Sequence, residues 1–166
     1  MTHLYLIRHG IAADRELYEI DEERPLTKEG DRKTRKVAQK LVELNLKFDV
    51  VLSSPLVRAR QTADLLKSVG LTDRIEEFPP LAPDGEINFW LDWYKNWSQT
   101  GKESIALVGH QPDLGNWAEM LIWGNVRGAL VVKKAGIIGI TLPETGSPLG
   151  NSQLLWLTPP KFLLSS

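Results

Sequence analysis

Short apolar runs that alternate with longer amphipathic stretches are the feature that most constrains the fold of this chain. The runs have the length of β-strands, and the stretches between them repeat their apolar residues at helical spacing. The alternation predicts a three-layer α/β sandwich with a central, mostly parallel sheet flanked by helices. The predicted strands are HLYLIR (3–8), DVVLS (49–53), the half-polar RIEEF (74–78), SIALVG (104–109), AGIIGITL (135–142) and QLLWLT (153–158).

Four helices are predicted between these strands, and residues at their ends support them. The second predicted helix has Ser54 as a cap, Pro55 at its first helical position and Gly70 after its last turn. In the third, Trp93 lies off the apolar stripe, so we expect its side chain to be exposed. The predicted helices are 27–45, 54–70, 87–101 and 112–124.

Composition narrows the classes of function. The length of 166 residues fits one domain, so we predict a single domain over 1–166. The chain contains no cysteine, which removes disulfides, thiolate metal ligands and cysteine nucleophiles. The net charge of −1 gives no sign of a nucleic-acid partner. No apolar run is long enough to span a bilayer and no signal-peptide pattern opens the sequence, so we expect a cytoplasmic protein without a membrane partner.

Basic and imidazole side chains follow three of the predicted strands at the point where each strand ends. Arg8 ends the first strand, His9 and Gly10 follow it directly, and His110 follows the fully apolar run 104–109. Arg58 lies at the start of the helix after the second strand. Because the carboxyl ends of parallel strands meet at one edge of a sheet, we expect these residues to converge there.

This set of residue types suits phosphoryl transfer. A planar guanidinium can hold two phosphate oxygens at once, and a helix N-terminus adds unpaired N–H groups. Two arginines also disfavour protonation of an imidazole beside them, so His9 is predicted to be a neutral nucleophile. His110 can donate a hydrogen bond to the transferring oxygens. With the arginines supplying positive charge, we expect no metal and no cofactor.

Successive segments of the chain resemble the histidine phosphatase, or phosphoglycerate mutase-like, superfamily, and most closely its SixA-type phosphohistidine phosphatases. The resemblance rests on the order and spacing of the segments, because an isolated RHG motif would be weak evidence of a relationship. The matching segments are LIRHG (6–10), RPLTKEG (24–30), SSPLVRARQTA (53–63), PPLAPDGE (79–86), LVGHQPDLG (107–115) and AGIIGITL (135–142).

The resemblance implies a role for each residue of the constellation. Arg8 and Arg58 match the phosphate-binding arginines, His9 matches the phosphorylated nucleophile, and His110 matches the second pocket histidine. Gly10 is expected to let backbone approach the phosphate. The implied reaction removes phosphate from the histidine of a phosphotransfer domain in multistep signalling, through a phosphohistidine intermediate on the enzyme.

Two departures from the family pattern leave alternatives open. Ile11-Ala12 follows the RHG, and the region where other members place a general acid offers only Asp84 and Glu86, neither an obvious match. A small-molecule phosphomonoesterase of the same superfamily and a catalytically silent phospho-binding module are therefore the alternatives. The acid-rich stretch 14–25 is interpreted as a solvated loop or as a rim that selects substrates.

Overall fold

The computed structural model describes residues 1–165 and contains six strands and five α-helices within that range. The strands are β1 (His3–Arg8), β2 (Val50–Ser53), β3 (Ile75–Glu77), β4 (Ser104–Gly109), β5 (Ile137–Thr141) and β6 (Gln153–Thr158). The helices are α1 (Lys28–Glu43), α2 (Val57–Ser68), α3 (Ile87–Trp97), α4 (Asp113–Trp123) and α5 (Pro160–Leu164). Short 3₁₀ turns lie at Arg15–Leu17, Asp21–Glu23, Pro79–Leu81 and Ser98–Thr100.

The strands form one sheet in the order β3-β2-β4-β1-β5-β6, with β1 to β4 parallel and β5 and β6 antiparallel to their neighbours. The predicted mostly parallel sheet is confirmed. The register pairs Arg8 with Gly109 and Ser53 with Val108. The carboxyl ends of three adjacent strands, β2, β4 and β1, are therefore level with one another at the centre of the sheet.

Helices cover both faces of the sheet, which explains why the central strands are continuously apolar. Along β1, Leu4 and Leu6 belong to the core on the side of α3 and α4, whereas Tyr5 and Ile7 belong to the core on the side of α1 and α2. All four side chains are buried. The predicted three-layer sandwich is confirmed, and its rigid centre supports the ends of β1, β2 and β4.

The observed helix ends follow the predicted caps in part. Thr27 Oγ1 accepts a hydrogen bond from the Gly30 N–H at 2.9 Å, and Gly124 ends α4 with a φ of 81°. The prediction that Ser54 caps α2 is wrong, because the helix begins at Val57. Ser54 Oγ instead accepts from the Leu56 N–H at 3.2 Å, in a turn that precedes the helix.

Two further features differ from the sequence predictions. Trp93 is not exposed: its ring stacks on Trp97 at 5.7 Å and meets the ring of Phe78 edge-on at 6.4 Å. The short helix α5 was not predicted, and it packs against α1 with Leu163 buried between them. Within residues 1–165, no helix is both long and apolar enough to cross a membrane.

Candidate active site

The predicted basic and imidazole residues meet at the carboxyl edge of the sheet. Arg8 ends β1 and His9 follows it, His110 follows β4, and Arg58 lies in the first turn of α2. His9, His110 and Arg58 are 6%, 5% and 4% exposed. The expected convergence is thus present, and it places two imidazoles and a guanidinium out of bulk water.

The two imidazole rings are neighbours, with centroids 5.1 Å apart and planes inclined by 55°. His9 Nδ1 lies 2.7 Å from the carbonyl oxygen of Gly10. Because a carbonyl oxygen can only accept, Nδ1 must carry the proton in this hydrogen bond. The lone pair of the neutral ring therefore resides on Nε2, which is the nitrogen that remains available to attack an electrophile.

Both histidines are held in the neutral form. Burial lowers the pKa of His9 to about 3 and outweighs the hydrogen bond to Gly10, which acts in the opposite direction. His110, Arg58 and Arg8 make smaller contributions that also lower this pKa. Burial also lowers the pKa of His110 to about 4, with Arg58 contributing. At neutral pH the site therefore contains an unprotonated, nucleophilic imidazole beside positive guanidinium groups.

His110 is oriented by the turn that precedes α2. Its Nε2 lies 2.8 Å from Ser54 Oγ, and the same oxygen accepts the Leu56 N–H. With one lone pair of Ser54 Oγ occupied in this way, the hydroxyl proton is free to point at His110 Nε2. In the tautomer in which Nε2 accepts this hydroxyl proton, Nδ1 of His110 carries the ring proton and is a hydrogen-bond donor.

Three buried nitrogens of the site have no hydrogen-bond partner among residues 1–165. They are Nε of Arg8, Nε of Arg58 and Nδ1 of His110. A buried polar group without a partner costs about 1–3 kcal/mol, more when it is charged, so its presence calls for an explanation. Arg8, Arg58 and His110 all line one cavity, and an anion with several oxygens bound there is the kind of group that could pair with them.

These residues line a cavity of about 330 Å³ with an excess of positive charge. Five of the lining side chains are cationic and three are acidic. The cations are Arg8, Arg15, Arg24, Arg58 and Lys134, the acids are Asp21, Asp84 and Asp113, and the remaining lining residues are His9, Ala12, Pro83, His110, Gln111 and Pro112. The cavity is large enough for a phosphoryl group together with part of the group that carries it.

Asp21 connects three of the cations at the rim. Its Oδ2 lies 3.1 Å from Arg58 Nη2 and its carbonyl oxygen accepts from Arg58 Nη1 at 2.9 Å, while Oδ1 accepts from Arg24 Nε at 2.8 Å and lies 3.7 Å from Arg15. Burial alone would raise the pKa of Asp21, but the hydrogen bonds from Arg24 and Arg58 outweigh it and lower that pKa. The acid-rich stretch 14–25 thus folds over the site, which sequence spacing could not reveal.

The comparison with family models agrees with this geometry. The model described as histidine phosphatase superfamily (branch 1) matches residues 4–104, the segment that contains Arg8, His9 and Arg58. The chain belongs to the histidine phosphatase superfamily. The phosphatase chemistry that the superfamily name denotes fits a cavity lined by paired guanidinium groups and a neutral imidazole.

Relatives over nearly the full length of the chain place it near SixA. An uncharacterized protein of Picosynechococcus is 45% identical over 162 residues, covering 97% of this chain and 98% of that protein. The phosphohistidine phosphatase SixA of Escherichia coli is 29% identical over 155 residues, covering 91% and 92%. A solved structure of the protein histidine phosphatase SixA with tungstate has a TM-score of 0.86 at 27% identity, covering 98% and 99%.

In this histidine phosphatase, the two candidate general acids differ in their position relative to the cavity. Asp84 lines the cavity, whereas Glu86 is exposed at the N-terminus of α3 and is not a lining residue. Asp113, which sequence reasoning missed, also lines the cavity, and its Oδ2 accepts the Asp84 N–H at 2.8 Å. Burial raises the pKa of Asp113, and the charge of Asp84 adds to this effect.

Gly10 plays a structural role in the superfamily's RHG turn. Its N–H donates to Thr62 Oγ1 at 3.1 Å, and it is not among the residues that line the cavity. The predicted role of Gly10 in phosphate binding stays a prediction. A Cβ at this position would lie 2.2 Å from Thr34 Oγ1, so glycine is needed because α1 packs directly on the turn.

Glu119 holds a loop that contacts the site, and this role was not predicted from the sequence. It is fully buried in α4, and its carboxylate accepts backbone N–H groups from Arg127, Ala129 and Leu130. The same loop continues to Val132, whose carbonyl oxygen accepts from Arg8 Nη1 at 3.2 Å. One buried carboxylate thus organises the loop whose carbonyl oxygen holds the guanidinium of Arg8.

Proposed function

We propose that the chain, acting as one histidine phosphatase domain over 1–166, removes phosphate from the phosphohistidine of a histidine phosphotransfer domain. The observation that carries the proposal is a single cavity lined by His9, Arg8, Arg58 and His110. In it, Nε2 of His9 is unprotonated, and each of the other three residues has a buried nitrogen without a partner among residues 1–165. A phosphoryl group bound by Nε of Arg8, Nε of Arg58 and Nδ1 of His110 would satisfy all three donors.

In the first step, Nε2 of His9 attacks phosphorus as the bond from phosphorus to the substrate imidazole breaks. The electron pair of that bond stays on the leaving nitrogen, and the phosphoryl group is carried by His9. The other nitrogen of the substrate ring has already taken a proton from solvent, so the ring leaves as neutral imidazole. Charge on the transferring oxygens meets preorganised donors, which is usually the largest contribution that a site makes to catalysis. The hydrogen bond from Nδ1 to Gly10 keeps the His9 ring oriented during the transfer.

In the second step, water attacks the phosphorus of phosphorylated His9. A P–O bond forms, the P–N bond to Nε2 breaks, and inorganic phosphate leaves after the water has lost a proton. Three carboxylates line the cavity, and Asp21 is already engaged by Arg24 and Arg58. Asp84 or Asp113 is therefore proposed to accept this proton, directly or through a second water.

The chemistry of the leaving group supports phosphohistidine as the substrate. An alkoxide leaving group needs a strong proton donor, whereas imidazole is a far weaker base than alkoxide and leaves with less help. In the cavity, the pKa of Asp113 is raised by burial, whereas that of Asp21 is lowered. The similarity over nearly the whole chain to a relative named phosphohistidine phosphatase points the same way.

A second function, hydrolysis of small phosphomonoesters, is favoured by one observation. Asp113 is half-buried beside Asp84, and its raised pKa suits a general acid for an alkoxide. A silent phospho-binding module has less support, because binding needs no unprotonated nucleophile. We further propose that catalysis needs no metal and that the protein acts in cytoplasmic signal transduction, as the phosphotransfer substrate implies.

The test compares a phosphotransfer domain phosphorylated on histidine with a panel of phosphomonoesters under identical conditions, with and without EDTA. We expect release of phosphate from the protein substrate at a much higher kcat/KM, unchanged by EDTA and abolished in His9→Ala. An acid-labile phosphoryl group trapped during turnover should map to His9. Preference for the phosphomonoesters, or mapping to His110, would contradict the proposal.

A further inference from the structure

A second depression of about 540 Å³ adjoins the active-site cavity and carries unbalanced positive charge. We call it the lysine groove, and it is defined by Lys33, Lys133, Lys134, Lys161, Phe162 and the shared Arg8. Arg8 and Lys134 line both the groove and the catalytic cavity. The cavity and the groove are therefore adjacent, with Arg8 and Lys134 at their common boundary, so a large ligand in the cavity would reach the groove across these two side chains.

The positive charge of the groove comes from the local clustering of basic residues and not from an excess of them in the chain as a whole. The whole chain has 20 basic and 21 acidic residues, yet no acidic side chain lines the groove. Within residues 1–165, none of its four lysines has a carboxylate within the ion-pair distance of 4.0 Å. Unpaired like charges repel one another, so such a cluster favours binding of negative charge.

The lining of the groove also offers an apolar contact. Phe162 is 66% exposed although the flanking Leu163 and Pro160 are buried, so the backbone beside it is held against the domain. The Lys161 ammonium lies 5.4 Å from the Phe162 ring. An exposed aromatic ring among unpaired cations suits a polypeptide that supplies both carboxylates and apolar side chains.

From these observations we infer that the lysine groove binds an acidic segment of the phosphoprotein next to its phosphohistidine. The inference rests on the proposed function, because it specifies the class of substrate at the same site. Lysine, a flexible point charge, suits carboxylates at variable positions, whereas the rigid guanidinium groups of the cavity suit phosphate. The groove would thus select the protein substrate while the cavity performs the chemistry.

The binding test uses synthetic peptides that carry the non-hydrolysable analogue phosphoryltriazolylalanine. One peptide has four glutamates on the N-terminal side, one has them on the C-terminal side, and a third has glutamines at all of these positions. We expect one acidic peptide to bind about tenfold more tightly than the neutral one at low salt, because it would form several exposed ion pairs that each contribute modestly. The preference should vanish at high salt.

Two triple lysine variants test whether the groove itself causes the preference for the acidic peptide. The triple variant Lys33→Gln, Lys133→Gln, Lys161→Gln should lose the preference, while the control Lys67→Gln, Lys95→Gln, Lys102→Gln makes the same change in net charge elsewhere and should keep it. Lys134 is left unchanged because it lines the cavity. Equal preference in both triple variants, or no preference in the unaltered protein, would overturn the inference.

Two further measurements separate the alternatives. Hydrolysis of phosphorylated imidazole, which is too small to reach the groove, tests the proposed function alone and should be unaffected by the lysine triple variant. Binding to vesicles containing phosphatidylserine, lost in that variant and not accompanied by any preference for the acidic peptides, would overturn the inference in favour of a membrane surface.

Discussion

Oδ2 of Asp21 lies 3.1 Å from Nη2 of Arg58, so a carboxylate already pairs with one of the two cations expected to bind phosphate. The pairing leaves Nε of Arg58 without a partner among residues 1–165. Asp21 therefore has two opposing effects: it orients the guanidinium toward the cavity, and it reduces the positive potential that an entering dianion meets.

Replacement of Asp21 by asparagine separates these effects. Asp21→Asn removes the negative charge with little change in shape, and we expect the Kd for inorganic phosphate to fall about three- to tenfold because a partly exposed pair contributes about 1 kcal/mol. Calorimetric titration with phosphate gives the value, and Glu22→Gln, an exposed acid on the same turn, is the control. Weaker binding in Asp21→Asn would mean that orientation of Arg58 outweighs charge.

Two arginines on α2 make a matched pair for testing the phosphate site. Arg58 is buried against the cavity, whereas Arg60 is partly exposed and faces Asp64 and Glu77. Arg58→Ala should lower kcat/KM by about 10²-fold or more, the scale for loss of one oxyanion donor. Arg58→Lys should restore only part of this, since an ammonium cannot make the paired contact. Steady-state kinetics should show little change in Arg60→Ala.

Buried neutral histidines make stability depend on pH in a defined window. The unfolded chain binds protons at His9 and His110 below their ordinary pKa of 6.5, while the folded chain binds them only near pH 3 and 4. The free energy of unfolding should therefore be fully retained above pH 6.5 and fall by about 1.4 kcal/mol per pH unit for each histidine between pH 6.5 and about 4.

Denaturant unfolding at a series of pH values measures this slope. In His9→Gln, the slope of unfolding free energy against pH should decrease by the contribution of one histidine. In the double variant His9→Gln, His110→Gln, it should decrease by the contribution of two. His3→Gln is the control, because His3 lies at the opposite end of β1. An unchanged slope in the double variant would show that other groups cause the loss of stability in acid.

The central part of the site could be predicted from sequence because it depends on local pattern and one topological rule. Arg8 and His110 each end a recognisable strand, and parallel strands bring such ends together. Asp21, Arg24 and Lys134 escaped prediction because they lie on irregular segments whose positions are set by tertiary contacts. Ser54 was mistaken for a helix cap because its true partner, His110, is 56 residues away.

Variants at the three acidic positions decide between phosphohistidine and ester hydrolysis. If phosphohistidine is the substrate, Asp84→Asn, Glu86→Gln and Asp113→Asn should each retain most activity toward it. Asp113→Asn should nevertheless lower any activity toward phosphomonoesters by about 10²-fold, the scale for loss of a general acid. Parallel kcat/KM values for both substrates give the answer. Loss of both activities in one variant would identify that carboxylate as essential and favour the phosphomonoesterase.

The tight packing of the RHG turn on α1 makes a prediction about stability. Gly10→Ala should destabilise the fold by about 1–3 kcal/mol, since the new methyl group would overlap Thr34 Oγ1. Thr34→Ala should cost little by itself because that oxygen has no hydrogen-bond partner among residues 1–165. In a double-mutant cycle followed by denaturant unfolding, Thr34→Ala should recover part of the loss, and simple additivity would argue against the contact.

The level ends of β1, β2 and β4 have a consequence for folding. Arg8, Arg58 and His110 come from segments far apart in the chain and approach one another only after the centre of the sheet has assembled. An unfolded or half-assembled chain therefore has no site for a phosphoryl group. By thermodynamic linkage, any anion that occupies the site adds its binding energy to the stability of the whole domain, about 2.7 kcal/mol at a hundred times its Kd. The melting temperature then becomes a direct readout of ligand binding.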